Sequence, residues 1–433
     1  MLYHSTNKSA PLVDFQEAAI KGQAHDKGLY FPEQIPQLSA EFLMSFHSKS
    51  KAEIAFEVIR PFVGASIDEN SLYHICEETV NFDFPLVRIN NTISSLELFH
   101  GPTLAFKDVG ARFMSRSLGY FSKSGERKVT VLVATSGDTG SAVANGFLGV
   151  EGVDVVILYP SGKVSKVQEL QLTTLGQNIT ALEVAGTFDD CQAMVKQAFS
   201  DEELNQKLFL TSANSINVAR WLPQQFYYFY ALQQWNEKQA PVVCVPSGNF
   251  GNICAGLMAY KTGLPVKHFI AACNSNNSFT EYLHSGNFAS KQAVATISNA
   301  MDVGNPSNFI RIIELFGNDF ESLKSMISSS SISDDETSST ITRVFKEEDY
   351  LLDPHGAVAF AALEKYQQNH SAEKGIILET AHPVKFSNVV ESLTNTSIEV
   401  PHAVKYILNK EKKSILTEAK YEALKEYLMK SAS

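Results

Sequence analysis

The sequence predicts an α/β protein built from two open, mainly parallel-sheet units with a cleft between them, preceded by an N-terminal segment. Short β-branched runs alternate with helical stretches, and the alternation comes in two series, one from about 128 and one from about 241. Polar residues do not interrupt the runs, as expected of strands covered on both faces. At 433 residues the chain is also too long for one hydrophobic core. The boundaries expected are 1–90 for the N-terminal segment, 91–235 for a smaller unit and 236–433 for a larger one.

In the first series, residues 128–134 (K-V-T-V-L-V-A) form a strand, followed by a small-residue turn and a helix over 141–149. A second strand over 155–158 ends in Tyr-Pro-Ser-Gly and leads to a helix over 164–175. A strand over 179–184 precedes a helix with Asp189 and Asp190 in its first turn, where carboxylates meet the positive end of the helix dipole. The aromatic stretch 218–235 reads as one long helix between the units, its rings in the core. In the second series, strands over 241–245, 268–272 and 375–379 flank a helix that runs to Tyr260. The Ser-rich stretch 327–340 reads as a solvated loop leading into a helix capped by Ser331 or Ser333. Residues 410–430 read as a charged, amphipathic surface helix.

The formal net charge of -11 disfavours nucleic acid as a partner, while leaving room for a locally positive pocket. No apolar run reaches membrane-spanning length, and the N-terminus lacks the basic and apolar regions of a secretory leader. The five cysteines (Cys76, Cys191, Cys244, Cys254 and Cys273) form no C-x-x-C pair. They point to free thiols in a reducing, cytoplasmic setting and to no metal site.

Lys107 stands in His-Gly-Pro-Thr-Leu-Ala-Phe-Lys-Asp, at the start of a helix that reads as buried. Alone, it is better explained as a helix lysine that snorkels to solvent or pairs with Asp108. Chemistry is favoured by two turns between a strand and a helix: Thr135-Ser136-Gly137-Asp138-Thr139-Gly140 and Ser247-Gly248-Asn249-Phe250-Gly251-Asn252. In such turns backbone N–H groups face one point, and the following helix adds its positive end, which makes an anion cradle. Neither turn fits the nucleotide-binding fingerprints. Two cradles and a desolvated lysine suit a phosphorylated aldehyde cofactor and an anionic substrate.

Together with Thr380-Ala-His-Pro-Val-Lys-Phe, Gly28-Leu-Tyr-Phe-Pro, Ser212-Ala-Asn-Ser-Ile-Asn and Asn299-Ala-Met-Asp-Val-Gly, these motifs resemble the threonine synthase family along most of the chain. The resemblance implies a pyridoxal 5'-phosphate lyase of the tryptophan-synthase-β fold type, converting O-phospho-L-homoserine and water to L-threonine and phosphate. It implies Lys107 as the residue joined to the cofactor and as base, and Gly248, Asn249, Phe250, Gly251 and Asn252 as its phosphate loop. Thr380 would face the pyridine nitrogen. Thr135, Ser136 and Thr139 would hold the substrate carboxylate, and Asn214, Ser215 and Arg220 the substrate phosphate. Asp353-Pro-His-Gly-Ala-Val departs from the family pattern after the histidine.

Asp138 stands where many relatives of this fold have Asn near the cofactor's phenolic oxygen; the alternative is a helix N-cap. Arg220 could instead pair with an acidic residue on a helix surface, Lys163 and Lys166 read as surface lysines, and His382 reads equally as a site or a core residue. A monomer or homodimer is expected. The sister reactions of the fold, threonine or serine dehydration and sulfhydrylation, are the nearest alternatives, followed by a non-catalytic binding protein for a phosphorylated amino acid.

Overall fold

The structure is a computed structural model that describes residues 1–122 and 128–431. Near the N-terminus β1 (Tyr3–Ser5) and β2 (Tyr30–Pro32) pair antiparallel. Next come β3 (Leu86–Arg88), β4 (Ile93–Glu97), β5 (Val129–Ala134), β6 (Val153–Pro160), β7 (Ile179–Ala185) and β8 (Phe209–Ser212). The series ends with β9 (Val242–Pro246), β10 (His268–Cys273), β11 (Ile327–Ser331), β12 (Gly375–Glu379) and β13 (Ile415–Glu418).

One sheet has the order β11-β10-β9-β12-β4-β3, parallel except for the antiparallel edge strand β3. The other, β13-β7-β6-β5-β8, is parallel throughout. The two parallel-sheet units expected from the sequence are thus present. β5 and β9 are buried along their whole length, which explains their uninterrupted apolar runs.

Sheet membership does not follow the expected boundaries at 90/91 and 235/236. β4 (I-S-S-L-E) lies within 91–235 yet joins the larger sheet, and β13 lies beyond 236 yet closes an edge of the smaller one. Both are short and rich in polar residues, so neither stands out as a strand. β13 also removes part of the expected C-terminal helix, which runs only over Tyr421–Ser431.

Two further expectations are corrected. The Ser-rich run is edge strand β11, where Ser329 donates to the Ala271 carbonyl (2.7 Å) and Ser331 to that of Asn274 (3.0 Å). Its hydroxyls are bonded locally, which lets a sequence with weak β preference occupy an edge. Ser333 then caps the next helix in a capping box with Glu336. The aromatic stretch 218–235 is not one helix. It breaks into Val218–Trp221, a 3-10 turn Leu222–Gln224 and Gln225–Gln233, because Pro223 has no N–H to continue the ladder. Its rings are buried, as expected, apart from the partly exposed Trp235.

The N-terminal segment packs its helices on the helix Lys107–Ser122, with Phe15 set against Phe113 and Phe121 at ring-centroid distances of 6.4 Å. No helix among the described residues is long and apolar enough to cross a membrane.

Candidate active site

The loops that carry Thr135, Asn214, Ser247 and Thr380 follow β5, β8, β9 and β12, so the candidate residues gather at the carboxyl ends of the strands of both sheets. Lys107 is held there by its neighbours. Phe106 N–H donates to the Thr380 carbonyl (2.9 Å), His382 N–H to the Leu104 carbonyl (3.1 Å), and Ala105 bridges to Ala381. Leu104 takes a left-handed φ of 60°, a strained conformation for a side chain of its size.

Asp108 does not pair with Lys107. Its carboxylate accepts from Thr103 N–H (2.9 Å) and from the Thr103 hydroxyl (2.6 Å). The Lys107 ammonium position lies 5.7 Å from the Phe106 ring centre and has no acidic partner within ion-pair distance among the described residues. Burial depresses its pKa; Asp138 opposes this, while Lys385 and Arg220 add to it. Lys107 keeps intermediate exposure although protein surrounds it.

The Ser247–Asn252 turn has the features of a phosphate cradle. No hydrogen bond within the described residues engages the backbone N–H groups of Gly248, Asn249, Phe250, Gly251 or Asn252, and the last two open the helix Gly251–Lys261. Phe250 has a φ of 61°, which curls the turn. Gly248 is required by close approach: a Cβ there would lie 2.7 Å from Met301 Cα. Asn249 braces the turn, donating to Ser215 Oγ (2.8 Å) and accepting from Ser307 N–H (2.6 Å). Asn252 donates to the Pro246 carbonyl (2.8 Å).

In the other turn Thr135 Oγ1 accepts from Gly137 N–H (3.0 Å) and Gly140 N–H (2.8 Å). Its hydroxyl therefore shapes the loop. Ser136 is exposed and Thr139 partly so, and no hydrogen bond within the described residues uses their hydroxyls or the N–H groups of Ser136, Asp138 and Thr139. These donors are available to a carboxylate.

Asp138 is not the helix cap. Gly137 occupies that position, and the Asp138 carboxylate turns to Lys385 Nζ (2.7 Å) and Gln168 Nε2 (2.9 Å). Lys385 also donates to the Thr103 carbonyl (2.8 Å) and is 1% exposed. The pair joins a helix of the smaller unit to the segment after β12 of the larger one. Burial opposes ionisation of Asp138, but the charges of Lys385 and Lys107 outweigh it and hold the carboxyl well below the usual range. The stability this gives is full at neutral pH and is lost as pH falls through that depressed value. Lys385→Met is expected to cost about 3–5 kcal/mol of unfolding free energy, because it strands a buried carboxylate. Urea titration would measure this, and adding Asp138→Asn should return much of the loss.

Arg220 is 2% exposed and carries no ion pair among the described residues, so the alternative of a surface acidic partner does not hold. One terminal nitrogen donates to the Ala213 carbonyl and Nε has no partner. Burial pushes its pKa down to about 10, with Asp108 opposing. A buried guanidinium left this poorly satisfied is stabilised by an arriving anion. Asn214 is half-buried nearby in sequence, while Ser215 lies under the Gly248 cradle, accepting from Asn249 and from Asn308 (3.3 Å). Lys163 and Lys166 are exposed. His382 is a packed residue: burial pushes its pKa down to about 4, it lies edge-on to Phe99, and it accepts from Val384 N–H (3.1 Å).

Sequence reasoning missed Lys385, Gln168, Asn308 and Arg311. Lys385 sits inside the Thr380 motif, and its spacing from Thr380 was the available signal. Arg311 is fully buried, stacks on Trp221 (4.7 Å) and donates to the Tyr30 carbonyl (3.0 Å), Ser215 O (3.2 Å) and Ile216 O. It thereby ties the Gly28-Leu-Tyr-Phe-Pro motif to the Asn214–Ser215 segment.

The residues fit pyridoxal phosphate. Among the described residues the five N–H groups of Gly248 to Asn252 are free, as a phosphate would need, Lys107 has no ion pair, as an aldehyde would need, and the Thr380 hydroxyl makes no hydrogen bond. Comparison with known proteins agrees. A family described as "Pyridoxal-phosphate dependent enzyme" matches residues 85–379, "Threonine synthase N terminus" matches 2–80 and "Threonine synthase, C-terminal" matches 356–428. The chain is 44% identical to threonine synthase of Haemophilus influenzae over 394 residues, covering 90% of this chain and 91% of that protein. Among solved structures, threonine synthase from Escherichia coli superposes with a TM-score of 0.92 at 40% identity, covering 100% of both chains. The PLP-bound threonine synthase from Brucella melitensis gives 0.94 at 34% identity, covering 100% of this chain and 99% of that one.

Proposed function

Because the chain belongs to the threonine synthase family of pyridoxal-phosphate lyases, we propose that its cleft takes O-phospho-L-homoserine and water to L-threonine and phosphate, with Lys107 as the cofactor-bearing base. The observation that carries this reading is the convergence on one centre of three basic side chains, Lys107, Lys385 and Arg220, with two carboxyl groups, Asp138 and Asp108, beside them. A chain with an overall charge of -11 thus carries a locally positive site suited to a doubly anionic substrate.

Pyridoxal phosphate, when bound, supplies the electron sink for charge developed at the substrate α-carbon. The Ser247–Asn252 turn would hold its phosphate through the free N–H groups, and Thr380 would offer its ring a neutral hydroxyl. Ser136, Thr139 and the N–H groups of their loop hold the substrate carboxylate. Arg220 and Asn214 hold the phosphate that leaves from Cγ, with Ser215 linking this segment to the cofactor loop. Lys107 Nζ moves the protons at Cα and then Cβ. Its depressed pKa leaves more of it as free amine at neutral pH than an exposed lysine. Lys385 keeps Asp138 ionised and compensates its charge, so this carboxylate would be tolerated beside an anionic group of the cofactor. The five buried cysteines fit a reducing, cytoplasmic setting, and a monomer or homodimer suffices because each proposed residue comes from one chain.

The test is a comparison of O-phosphohomoserine, threonine and serine as substrates for the purified, cofactor-loaded protein. Phosphate release with threonine as product supports the reading. Ammonia release from threonine or serine without turnover of O-phosphohomoserine would assign a sister reaction of the fold.

A further inference from the structure

The Asp353-Pro-His-Gly segment has no part in the mechanism above, yet it packs beneath it. Glu379, immediately before Thr380 and 0% exposed, accepts Asp353 N–H at Oε1 (2.6 Å). Its Oε2 has no partner. That oxygen lies directly over Gly356, where a Cβ would come within 1.6 Å of it, and Asp353 Oδ1 accepts from Gly356 N–H (2.8 Å). The two carboxyl groups therefore meet over the same glycine in a dry site. The titratable groups beside Glu379 are Glu97 from β4 and Tyr350, whose hydroxyl bonds Glu97 (2.9 Å), while His355 and His382 lie beside Asp353. No lysine or arginine bonds to Glu379 or Asp353 among the described residues.

We propose that Glu379 carries a proton and donates it to Asp353, and that the resulting Glu379–Asp353–His355 relay holds the Thr380 and Gly248 sides of the cofactor cleft in register. Two buried carboxylates without a cation cannot both ionise, and a proton on Oε2 gives that oxygen a partner by making it the donor to the Asp353 carboxylate. Burial and the Asp353 charge push Glu379 well above the ordinary carboxyl range, in the same direction. Asp353 Oδ2 pairs with His355 Nδ1. His355 Nε2 accepts from Ala300 N–H (3.2 Å), which assigns the ring proton to Nδ1 and makes His355 a neutral donor to Asp353. The Ala300–Met301 turn is the one that leaves no room for a side chain on Gly248. The relay thus runs from the residue beside Thr380 to the wall of the phosphate cradle, and Glu379, Asp353 and His355 act as positioning residues.

The positioning role rests on the cofactor assignment of Thr380 and Gly248, but the proton does not. Carbon-13 labelling of glutamate carboxyls in the wild-type holoenzyme should show one resonance that stays in the protonated range at neutral pH and vanishes in Glu379→Gln. Glu379→Gln keeps both an acceptor for Asp353 N–H and a donor to its carboxylate. It should bind pyridoxal phosphate within about threefold of wild type, whereas Glu379→Ala should bind it about tenfold or more weakly. Absence of a protonated glutamate in wild type overturns the proposal without any variant having to fold. Equal weakening in the Gln and Ala variants, or none in either, overturns the positioning role. Gly248→Val separates the underlying reading: unaltered cofactor binding in that variant removes the cradle assignment, whatever the resonance shows.

Discussion

Lys107→Ala is expected to lower turnover of O-phosphohomoserine roughly ten-thousandfold or more, since one amine serves both as attachment point and as base. The same variant should still bind pyridoxal phosphate. The Gly248–Asn252 N–H groups, the helix Gly251–Lys261 and the Thr380 hydroxyl do not depend on Lys107 for their positions. The substitution also removes a desolvated amine that Lys385 and Arg220 disfavour as a cation. Folding stability should therefore fall little, as a urea titration would show. Phosphate release by the purified variant measures the main effect, and turnover near the wild-type rate would remove Lys107 from the reaction.

Arg220→Gln is expected to lower kcat/KM for O-phosphohomoserine roughly a hundredfold. Losing one or two charge-assisted bonds to phosphate costs about 2–4 kcal/mol, and each 1.4 kcal/mol is about tenfold. Its unpartnered Nε and its lack of an ion pair among the described residues set this expectation. Homoserine, which has the same carbon frame without the phosphate, serves as control. Its inhibition constant should be nearly unchanged by the substitution, while that of inorganic phosphate should rise. Equal weakening of homoserine and phosphate would mean that Arg220 acts by supporting the fold around Ala213.

Much of this site was legible in the sequence because its chemistry is local. A glycine-bearing turn between a strand and a helix announces free N–H groups wherever it occurs, so both cradles stood out before any coordinates. Their strands were equally plain, since β5 and β9 are buried along their length. Lys107 was legible only in company, because its unpaired state depends on Thr103 engaging Asp108.

The residues that escaped act across the fold. Lys385 is a site residue only because the two sheets bring it to Asp138. Arg311 matters only because its helix meets the Tyr30 and Ser215 segments. The alternative of an N-cap at Asp138 failed for a related reason: local preference allows the cap, but a buried ammonium outweighs it. Among the strands that escaped, β4, β11 and β13 are ones whose polar residues find partners in the tertiary structure or remain at an exposed edge.

The most direct test of the central claim is to reduce the purified holoenzyme with borohydride and locate the modified lysine by peptide mass mapping. Two lysines lie beside Asp138, Lys107 without an ion pair among the described residues and Lys385 held by Asp138 and Thr103. The account predicts a pyridoxyl group on Lys107 and none on Lys385. A pyridoxyl group on Lys385, or on any lysine other than Lys107, would contradict it.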